Sequence, residues 1–494
     1  MKFVSASPCR ILAVIATVWT FPQAYGSGYG QLPFDMQEVK APSIPEYTVS
    51  LIDFGATGDG HHDNTEAFQR AFEHLKEKGG GHLNVEPGIW LTGPIALESN
   101  TDLHLEHGSI LLFSDNRDDY PLFRWDVADN PARECVSPIS AFDKHDISIT
   151  GHGTINGRGE IWRPVKKMKL TNNQWKKLCG GGTLSDDGHI WYPSESIKEC
   201  THEKIGGAAP DDDLAWESMR EFLRPVMVLP VRCERVLFEG VTFENSPRWN
   251  VRPLLCRDVT LRNVTIRNPA YAQNGDGLDI ESCSNVHVTG CTFDVGDDAI
   301  CIKSGKDRAG RMRGAPTSNV LIEECKVYSG HGGFVIGSEM SGGVYDVAVR
   351  NCLFIGTDTG IKFKSTRGRG GAVRGIHISD IKMVGIAGDA ITADLYYGRK
   401  AAGQHAEPVD ESTPVFDGIS ISGISCTGAA RAIWLNGLPE MPIRNISISN
   451  SIISAEAGAI INNADSVTLH NVDINHSTGS VSYTHLRAHE TVLD

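Results

Sequence analysis

The sequence predicts an all-β fold, a single-stranded parallel β-helix in which successive coils of chain stack into a solenoid. Three observations predict it. A short alternating segment returns along the chain, a second strand-like segment lies inside each coil, and glycine is abundant (52 residues) while aromatic residues are few (7%). Alternation of apolar and polar residues is the period of a strand. Self-similarity at a spacing of about 20–50 residues is typical of solenoids.

The alternating segment occurs ten times from residue 146 onward, and most intervals between copies run from 21 to 34 residues. Strands that repeat at this spacing without intervening helices indicate a parallel β-helix. The copies are DISITGHGTIN, RVLFEGVTFEN, DVTLRNVTIRN, NVHVTGCTFDV, NVLIEECKVYS, DVAVRNCLFIG, GIHISDIKMVG, GISISGISCTG, NISISNSIISA and SVTLHNVDINH.

A second strand is predicted inside each coil. Its copies are GLDIES from Gly277, AICIKS from Ala299, GFVIGS from Gly333, GIKFKS from Gly360, AIWLN from Ala432 and AIINN from Ala459. When these copies are aligned, two columns of apolar residues alternate with polar ones and therefore point into the coil. The first column is Leu278, Ile300, Phe334 and Ile361, and the second is Ile280, Ile302, Ile336 and Phe363.

The chain divides into four regions. Residues 1–26 are predicted to be a signal peptide, because Lys2 and Arg10 precede the apolar run 11–21 and a small-residue exit. The protein is therefore expected to be secreted, either extracellular or periplasmic. Residues 27–46 are predicted to be a linker, residues 47–479 the β-helix catalytic domain, and residues 480–494 an irregular tail that lacks the repeat.

A helix is expected near the start of the β-helix, after a strand and a glycine-rich turn. Asn64 or Thr65 could cap this helix, and its apolar face consists of Phe68, Ala71, Phe72 and Leu75. Such a helix can close the open end of a solenoid. Residues 158–222 break the repeat and are rich in tryptophan. They are predicted to be an insertion on one rim, acting either as a lid or as a packing appendage.

Charge and cysteine content exclude several classes of protein. The formal charge of −15 argues against nucleic acid and against a polybasic membrane surface as partners. No run after residue 26 is apolar enough to span a bilayer. The twelve cysteines do not form a dense disulfide pattern. Six of them recur at two repeat positions and are expected to be buried thiols, namely Cys233, Cys256, Cys283, Cys291, Cys325 and Cys352.

Acidic residues converge just before the second strands. In the alignment Asp276 stands beside Asp298, and His331 follows in the column of Asp297 on the next coil. Like charges on coils about 4.8 Å apart repel each other, so at least one carboxyl group should have a raised pKa. The alternative is a turn in which aspartates cap backbone N–H groups.

Basic residues accompany these acids on the outward columns. Lys303, Lys362 and Lys364 share those columns with Asp279 and Glu281. They form either a cross-strand ion-pair network or a binding patch for an acidic sugar. The following loops add further basic residues to the patch, namely Arg367, Arg369, Lys306, Arg308, Arg311 and Arg313.

Two carboxyl groups and a water molecule suffice for glycoside hydrolysis. One carboxyl group protonates the leaving oxygen, and the other activates water or attacks directly. Strands on adjacent coils permit both the wider spacing of inverting enzymes and the closer spacing of retaining ones. The sequence leaves that choice open.

At these residues the chain resembles the polygalacturonase family, family 28 of the glycoside hydrolases. The Asn-Thr-Asp motif of the family stands here as Asn274-Gly275-Asp276, and its Gly-Asp-Asp motif as Gly296-Asp297-Asp298. Its Gly-His-Gly motif is Gly330-His331-Gly332, and its Arg-Ile-Lys motif is matched by Lys362-Phe363-Lys364. The resemblance also covers the N-terminal DFGATGDG and runs from about residue 47 to about residue 475.

The resemblance implies a right-handed β-helix that hydrolyses α-linked galacturonic acid in pectin with inversion and without metal or cofactor. By this analogy Asp297 is the general acid, and Asp276 and Asp298 hold and activate the water. His331 orients or tunes the acid, and Lys364 binds a substrate carboxylate with help from Lys362. We expect Asn274, Asp279, Lys303 and Arg367 to contribute to substrate binding as well.

Two departures from the family motifs bear on the substrate. Gly275 replaces threonine, and Lys362 replaces an arginine that could clamp a carboxylate with two hydrogen bonds. The stretches KSGKDRAGRMRG and HGGFVIGSEMSGG look more like the bacterial, exo-acting branch. The rim insertion could close one end of the cleft, which also favours exo action.

Other functions are compatible with the same architecture. Within the family, rhamnogalacturonan or xylogalacturonan could be the substrate instead of homogalacturonan. A pectate lyase would use the acids to hold Ca²⁺, and an adhesin-like β-helix would bind carbohydrate without cleaving it.

Overall fold

The computed structural model describes residues 29–30, 32–124, 133–200, 213–398, 405–478 and 482–484. The predicted signal peptide lies outside these residues. The described chain is a parallel β-helix, as the sequence predicts, with three sheets that run along its length. Most coils add one strand to each sheet. Stacking of successive coils buries the apolar stripe of each one.

Sheet 1 contains the first half of each repeated segment. Its strands are Thr48–Ser50, Gly81–Val85, Thr101–Leu105, His145–Gly151, Glu234–Glu239, Arg257–Arg262, Ser284–Thr289, Thr317–Glu323, Val344–Arg350, Ala372–Ser379 and Val415–Ser422. Sheet 2 contains the second half. Its strands are Asp59–Asp63, Gly88–Thr92, Ser109–Phe113, Thr154–Asn156, Thr242–Glu244, Thr265–Arg267, Thr292–Asp294, Lys326–Ser329 and Leu353–Ile355.

Sheet 3 contains the second strands predicted within each coil. Its strands are Ile95–Ala96, Ile139–Phe142, Val228–Val231, Leu278–Glu281, Asp298–Lys303, Gly332–Gly337 and Ile361–Lys364. Towards the C-terminus the strands lengthen and bend from one sheet into the next. These long strands are Lys382–Asp394, Ser425–Asn436, Ile443–Asn462 and Ala464–Thr478.

Two corners of the coil are ladders of residues with left-handed backbone. The first ladder lies near the N-terminal ends of the sheet 1 strands and of the last two long strands, and has φ between 53° and 75°; it consists of Asp146, Arg235, Asp258, Asn285, Asn319, Asp346, Gly375, Gly418, Asn445 and Ser466. The second lies between sheets 1 and 2 and has φ between 49° and 103°; it consists of Gly151, Gly240, Asn263, Gly290, Glu324, Asn351, Asp380, Gly423, Asn450 and Asn471. Asn, Asp and Gly tolerate this conformation best, which explains why they recur at fixed places in the repeat.

The interior of the coil holds one continuous apolar core. The predicted columns are confirmed, since Leu278 pairs with Ile300 and Ile300 pairs with Phe334. The six stacked cysteines are buried and form no disulfide, as expected. Main-chain N–H groups donate along one of these stacks, for example from Cys233 to Sγ of Cys256 at 3.4 Å.

The predicted N-terminal helix is Thr65–Glu77, and its four expected apolar residues are buried against the first coils. Asn64, one of the two residues expected there, occupies the N-cap position, but its side chain makes no capping hydrogen bond. Asp63 accepts from the main-chain N of Thr65 at 2.9 Å. The Asn64 side chain instead joins the glycine-rich turn to the strand Gly88–Thr92, by accepting from Thr57 N at 2.8 Å and donating to Leu91 O at 3.0 Å.

The predicted rim insertion folds as a small layer of its own. It includes a three-stranded antiparallel sheet, short helices and 3₁₀ turns. Its elements are Gly159–Ile161, Val165–Lys166, Lys167–Lys169, Asn172–Leu178, Thr183–Leu184, Ile190–Tyr192, Glu195–Glu199, Asp213–Ser218 and Arg220–Phe222. Trp162, Trp175 and Trp216 are buried, so these three side chains pack the insertion.

Other short elements decorate the coils. They are the helix Asp307–Arg313, the 3₁₀ turns Leu51–Phe54 and Arg117–Asp119, and the antiparallel pair Leu122–Arg124 and Arg133–Cys135. Within the described part of the chain, no helix has both the length and the apolar character needed to cross a bilayer.

The predicted linker packs on the β-helix as an N-terminal strap, defined as residues 29–30 and 32–46. Ser43 N donates to Asp146 at 2.9 Å, and Lys40 N donates to Asp258 at 3.3 Å. Farther along the solenoid, Arg350 donates to the Tyr29 carbonyl at 2.6 Å. The strap therefore crosses many coils along the outside of sheet 1.

The predicted irregular tail is partly wrong. Ser482–Thr484 form a strand that pairs in parallel with residues 460–462. The pairing needs only main-chain groups, which any residue except proline supplies. Residues 485–494 lie outside the described residues.

Candidate active site

The three predicted acids meet on sheet 3, where two neighbouring strands begin. The pairing of Leu278 with Ile300 places Asp276 beside Asp298. One carboxylate oxygen from each of Asp276, Asp297 and Asp298 lies within 4.8 Å of the other two. The structure therefore brings together the three side chains that the repeat register had aligned.

The loop that carries Asp276 is tightly packed. Buried Asn268 donates from Nδ2 to the carbonyl oxygen of Gly275 at 3.1 Å. A Cβ atom on Gly275 would lie only 2.7 Å from Cβ of Ala272. The threonine of the family motif would not fit here without movement of the loop, so glycine suits this position.

Burial and charge distinguish Asp276 from Asp298. Asp276 is 3% exposed, and its Oδ1 has no hydrogen-bond partner. Burial, reinforced by neighbouring aspartates, raises the pKa of Asp276 well above its ordinary value. Asp298 is also buried, but Lys364 donates to its Oδ2 at 2.5 Å and Lys362 Nζ lies 3.9 Å from its Oδ1. Burial opposes ionisation of Asp298, yet these two ammonium groups outweigh it and lower its pKa.

Asp297 is paired with His331 on the next coil. Nδ1 of His331 lies 3.1 Å from Oδ1 of Asp297, and the main-chain N of His331 donates to the Asp297 carbonyl at 2.8 Å. Burial opposes ionisation of Asp297, but His331 and, more weakly, Lys364 keep the pKa of this carboxyl group below its usual value. The other ring nitrogen of His331, Nε2, faces Lys169 Nζ at 3.2 Å and Asp358 Oδ2 at 3.8 Å.

A cavity of about 330 Å³ opens over the three carboxylates. Lysines and aromatic residues are prominent in its walls, namely Lys166, Lys169, Lys303, Lys364, Trp249, Tyr271 and Tyr397. Lys303 Nζ lies 4.4 Å from the centre of the Trp249 ring, and Lys364 Nζ lies 4.9 Å from that of Tyr397. The cavity combines cations with aromatic faces, which suits a sugar that carries a carboxylate.

The predicted substrate-binding residues fall into different places. Asn274, Lys303 and Lys364 line the cavity. Lys362 lies just behind it, with Nζ 3.3 Å from the carbonyl oxygen of His331. Asp279 is completely buried beneath the wall, 3.3 Å from Lys303 Nζ, and burial raises its pKa to about 7. The structure therefore brings Asp279 to the site as a partner of Lys303 and not as a wall residue.

Arg367 belongs to a separate ion-pair cluster. Its Nε and Nη2 donate to Glu440 at 2.6 and 2.8 Å, and Glu407 lies 3.4 Å from its Nη1. Its guanidinium group stacks 5.3 Å from the Tyr396 ring centre. It is not among the residues that line the cavity, so the structure does not bring this predicted residue to the three acids.

Other members of the predicted basic patch hold the helix Asp307–Arg313 in place. Arg313 donates to buried Glu281 at 2.6 Å, and Arg369 pairs with Asp307. Arg311 donates to the carbonyl oxygen of Gly368 at 2.8 Å. These three arginines therefore form ion pairs and loop contacts, whereas the cavity itself takes its positive charge from lysines.

Sequence reasoning missed several residues of the cavity. Lys166 and Lys169 come from the rim insertion, and Trp249, Tyr271 and Tyr397 come from loops next to sheet 3. None of them occupies a repeat position, so alignment of the coils could not find them. The only available signal for Tyr271 was its closeness in sequence to Asn274.

The three acids are the candidate cation site among the described residues. Calcium requires about six to eight oxygen ligands. Here three carboxylates share their surroundings with Lys364, which already donates to Asp298, and with Lys303. This donor set does not fit a calcium site.

Comparison with known proteins gives consistent results. Residues 220–478 match Glycosyl hydrolases family 28. A protein named "Probable polygalacturonase" from Vitis vinifera is 30% identical over 432 residues, which cover 85% of this chain and 77% of that protein. An exo-poly-alpha-D-galacturonosidase from Dickeya chrysanthemi is 28% identical over 369 residues, covering 72% and 58% respectively. The crystal structure of a hyperthermoactive exopolygalacturonase from Thermotoga maritima superposes with a TM-score of 0.75 at 32% identity, covering 89% of this chain and 94% of that one.

The fold and the site together define a glycoside hydrolase, since carboxyl groups converge in a sugar-sized cavity on the face of a parallel β-helix. The family match covers more than half of the chain and contains all three acids. The chain belongs to family 28 of the glycosyl hydrolases. The predicted resemblance is confirmed, and the β-helix is right-handed, as in the structural relatives.

Proposed function

We propose that this protein is a secreted, exo-acting polygalacturonase that hydrolyses α-1,4-galacturonosidic bonds of pectin. The observation that carries the proposal is the convergence of three carboxylates with Lys303 and Lys364 in one cavity. The acids supply the hydrolytic chemistry, and the lysines match the carboxylate of galacturonic acid. The signal-peptide pattern of residues 1–26 supports secretion.

Exo action is supported by the size of the cavity and by the rim insertion that forms part of its wall. Its volume of about 330 Å³ is at the small end of the range of about 300–1,000 Å³ for ligand pockets. The rim insertion contributes Lys166 and Lys169 to its wall. A cleft closed on one side accepts the end of a chain more readily than its middle. The names of two relatives, both exo-acting enzymes, agree with this proposal.

In the proposed mechanism Asp297 protonates the glycosidic oxygen, while Asp276 and Asp298 hold and activate the attacking water. His331 sets the proton affinity of Asp297. Lys364 binds a substrate carboxylate and also keeps Asp298 ionised.

The remaining predicted residues have supporting parts in this proposal. Asn274 and Lys303 contact the sugar from the cavity wall, and Lys362 steadies Asp298 and the backbone of His331. Asp279 acts by holding Lys303. Arg367 acts at a distance from the cavity, by holding Glu440.

The mechanism also has to explain how Asp297 obtains the proton that it donates. A general acid has to be protonated at the working pH, but in the structure Asp276 has the raised pKa and Asp297 the lowered one. Because the carboxyl groups are close, they titrate as one coupled group. The proposal therefore includes transfer of the shared proton to Asp297 when the substrate is bound.

The stereochemistry is tested separately. One carboxylate oxygen from each aspartate lies within 4.8 Å of one from each of the others, closer than the roughly 6.5–9.5 Å between carboxyl groups in two-acid inverting enzymes. Here a pair of aspartates, not a single base, holds the water, so we propose inversion despite the short spacing. Proton NMR of freshly released product should show the β-anomer; initial α-anomer would contradict inversion.

A second candidate substrate is a branched or mixed galacturonan. Lys362 stands where the family has arginine, and its Nζ is already engaged with His331 and Asp298. The loss of a bidentate clamp could fit a differently substituted galacturonan. Rhamnogalacturonan and xylogalacturonan therefore belong in the substrate panel.

The test is product analysis on polygalacturonic acid, run in parallel with added calcium and with EDTA. We would compare the wild-type chain with Asp297→Asn and with Asp294→Asn, an exposed aspartate nearby that is outside the cavity. Reducing ends, ultraviolet absorbance of unsaturated uronides and oligomer size would be followed together.

We expect reducing ends without absorbance, only mono- or digalacturonate from the start, and loss of activity in Asp297→Asn alone. Long oligomers at early times would contradict exo action. Absorbance that requires calcium would replace the hydrolase by a lyase. Binding without any product on the whole panel would favour a non-catalytic β-helix.

A further inference from the structure

The rim insertion reaches the histidine that adjoins the proposed general acid. Lys169 ends the short 3₁₀ turn Lys167–Lys169, is half-buried and lines the cavity. Its Nζ lies 3.2 Å from Nε2 of His331 and 3.4 Å from the carbonyl oxygen of Gly296. The insertion thus contacts two of the catalytic motifs through one side chain.

We propose that Lys169 is a positioning residue for hydrolysis, which holds His331 as the neutral tautomer with its proton on Nδ1. The proposal rests on the function proposed above, in which Asp297 is the general acid. It assigns to the rim insertion a part in the chemistry beyond enclosing the cavity.

The tautomer follows from the hydrogen-bonding capacity of the groups. A lysine ammonium donates and cannot accept. Nε2 of His331 must therefore accept from Lys169 and carry no proton. The remaining proton then lies on Nδ1, which faces Oδ1 of Asp297 at 3.1 Å and donates to it. A second proton, on Nε2 in addition to Nδ1, would set an imidazolium against an ammonium 3.2 Å away, which like-charge repulsion disfavours.

The neutral ring matters because of what it does to Asp297. An imidazolium would form an ion pair with Asp297 and hold its proton affinity low. A neutral imidazole contributes only a hydrogen bond. Lys169 therefore allows Asp297 to keep a proton to a higher pH, which a general acid needs.

The other charges around His331 do not by themselves keep its ring neutral, so Lys169 determines whether Nε2 is protonated. Asp358 Oδ2 lies 3.8 Å from Nε2 and favours a proton there. Lys362 Nζ lies 3.3 Å from the carbonyl oxygen and opposes it. Without Lys169, His331 would have a carboxylate near each ring nitrogen, an arrangement that favours the imidazolium.

The insertion holds Lys169 in place through its own small sheet. Strand Val165–Lys166 pairs with Ile190–Tyr192, and Lys167 N donates to the His189 carbonyl at 2.9 Å. The 3₁₀ turn that carries Lys169 is therefore tied to a folded layer and not to an open loop.

The experiment compares Lys169→Met with Lys169→Arg, Lys166→Met and Lys167→Met on the full chain, using a galacturonate oligomer as substrate. Lys169→Met should lower kcat about tenfold or more and move the alkaline limb of kcat/KM to lower pH by about one unit. KM should change less, and Lys169→Arg should recover part of the loss.

The two neighbouring lysines provide matched controls. Lys166 lines the cavity but makes no hydrogen bond to His331, so Lys166→Met should raise KM for an acidic substrate without moving the alkaline limb. Lys167 is exposed and outside the cavity, so Lys167→Met should behave like wild type.

Nitrogen NMR of histidine-labelled protein reads the tautomer directly, with His331→Asn used to assign the signal. Wild type should show a neutral ring protonated at Nδ1, and Lys169→Met a doubly protonated ring. An imidazolium in wild type, or an unchanged pH limb and ring signal in Lys169→Met, would overturn the proposal. So would a Lys169→Met protein whose only defect is a lower Tm.

The readouts separate this proposal from the function on which it rests. If the wild-type chain does not hydrolyse galacturonan, the proposed function fails, while NMR still determines the His331 tautomer. If wild type hydrolyses galacturonan and Lys169→Met keeps its pH profile and ring signal, only the role of Lys169 fails.

Discussion

At the scale of single residues, three aspartates of the same chemistry are made different by their immediate neighbours. Asp276 is buried with no hydrogen-bond partner for its Oδ1, Asp298 has Lys364 at 2.5 Å, and Asp297 has His331 at 3.1 Å. The pairing of Asp297 with His331 could be predicted from the sequence, because alignment of the coils places both in one column. Lys364 was expected to bind the substrate; it lies two coils from Asp298, and its contact with that carboxylate was not predicted. Lys169 could not be predicted, since nothing in a non-repeating insertion states which coil it will contact.

The burial of Asp276 predicts that its replacement removes activity but stabilises the fold. Asp276→Asn should abolish hydrolysis but raise the free energy of unfolding at pH 7, because the amide does not have to take up a proton when it is buried. The gain is about 1.4 kcal/mol for each pH unit, up to pH 7, by which the pKa of the folded carboxyl group exceeds its unfolded value. The pKa of Asp276 is raised in the folded protein. Wild type therefore loses stability as pH rises above the unfolded value of about 3.9, and the gain in the variant should vanish below about pH 4.

Denaturation curves of both proteins at several pH values measure this effect. Asp473→Asn, a change at an exposed position, serves as the control and should show no such pH dependence. A Asp276→Asn protein less stable than wild type at pH 7 would mean that the carboxylate is better compensated than its surroundings indicate.

At the scale of the strand and turn, the repeat can be recognised in the sequence because the left-handed corners of the coil favour particular residues. Both ladders of left-handed residues consist mainly of Asn, Asp and Gly, and these residues mark the repeat in the sequence as clearly as the apolar columns do. Asn64 was predicted as a cap of the helix Thr65–Glu77 and stands at that position, but the hydrogen bonds of its side chain and the strand Ser482–Thr484 were not predicted. Both depend on local hydrogen bonds that the alternation of apolar and polar residues does not determine.

Glu324 is an exception within its ladder and offers a test of this account. It has φ of 57° and is exposed. A left-handed conformation costs an ordinary residue roughly 1–2 kcal/mol. The cost is smaller for asparagine. Glu324→Asn should therefore raise the free energy of unfolding by up to about 1 kcal/mol.

Chemical denaturation measures the difference, with Lys326→Asn as the matched control. Lys326 is also exposed but lies within the regular strand Lys326–Ser329, where asparagine is disfavoured. If both changes have the same sign, corner conformation does not explain the choice of residues.

At the scale of the whole molecule, the coils depend on nearest neighbours, as in any solenoid, but the strap connects distant ones. It contacts Asp146 through Ser43 and Asp258 through Lys40, and Phe34 lies with its ring centre 6.2 Å from that of His377. The sequence predicted a linker here because residues 27–46 contain neither repeat nor helix pattern. Packing of such a segment depends on the finished surface of sheet 1.

Deletion of residues 29–46 should lower Tm and make unfolding less cooperative, because the strap adds contacts that span coils. Hydrogen exchange should then show greater loss of protection in the strands of sheet 1 than in sheet 3. The double change Tyr29→Ala with Phe34→Ala should have a smaller effect in the same direction. Equal protection in all sheets would assign the strap no role in cooperativity.

The strap also has a consequence for the order in which the protein matures during its synthesis. Its residues leave the ribosome early, yet their partners Arg350 and His377 are translated more than 300 residues later. The strap can therefore seat fully only when most coils exist. The strap is therefore translated before most of the coils but completes its contacts after them. A fully packed strap indicates that the solenoid beneath it has folded.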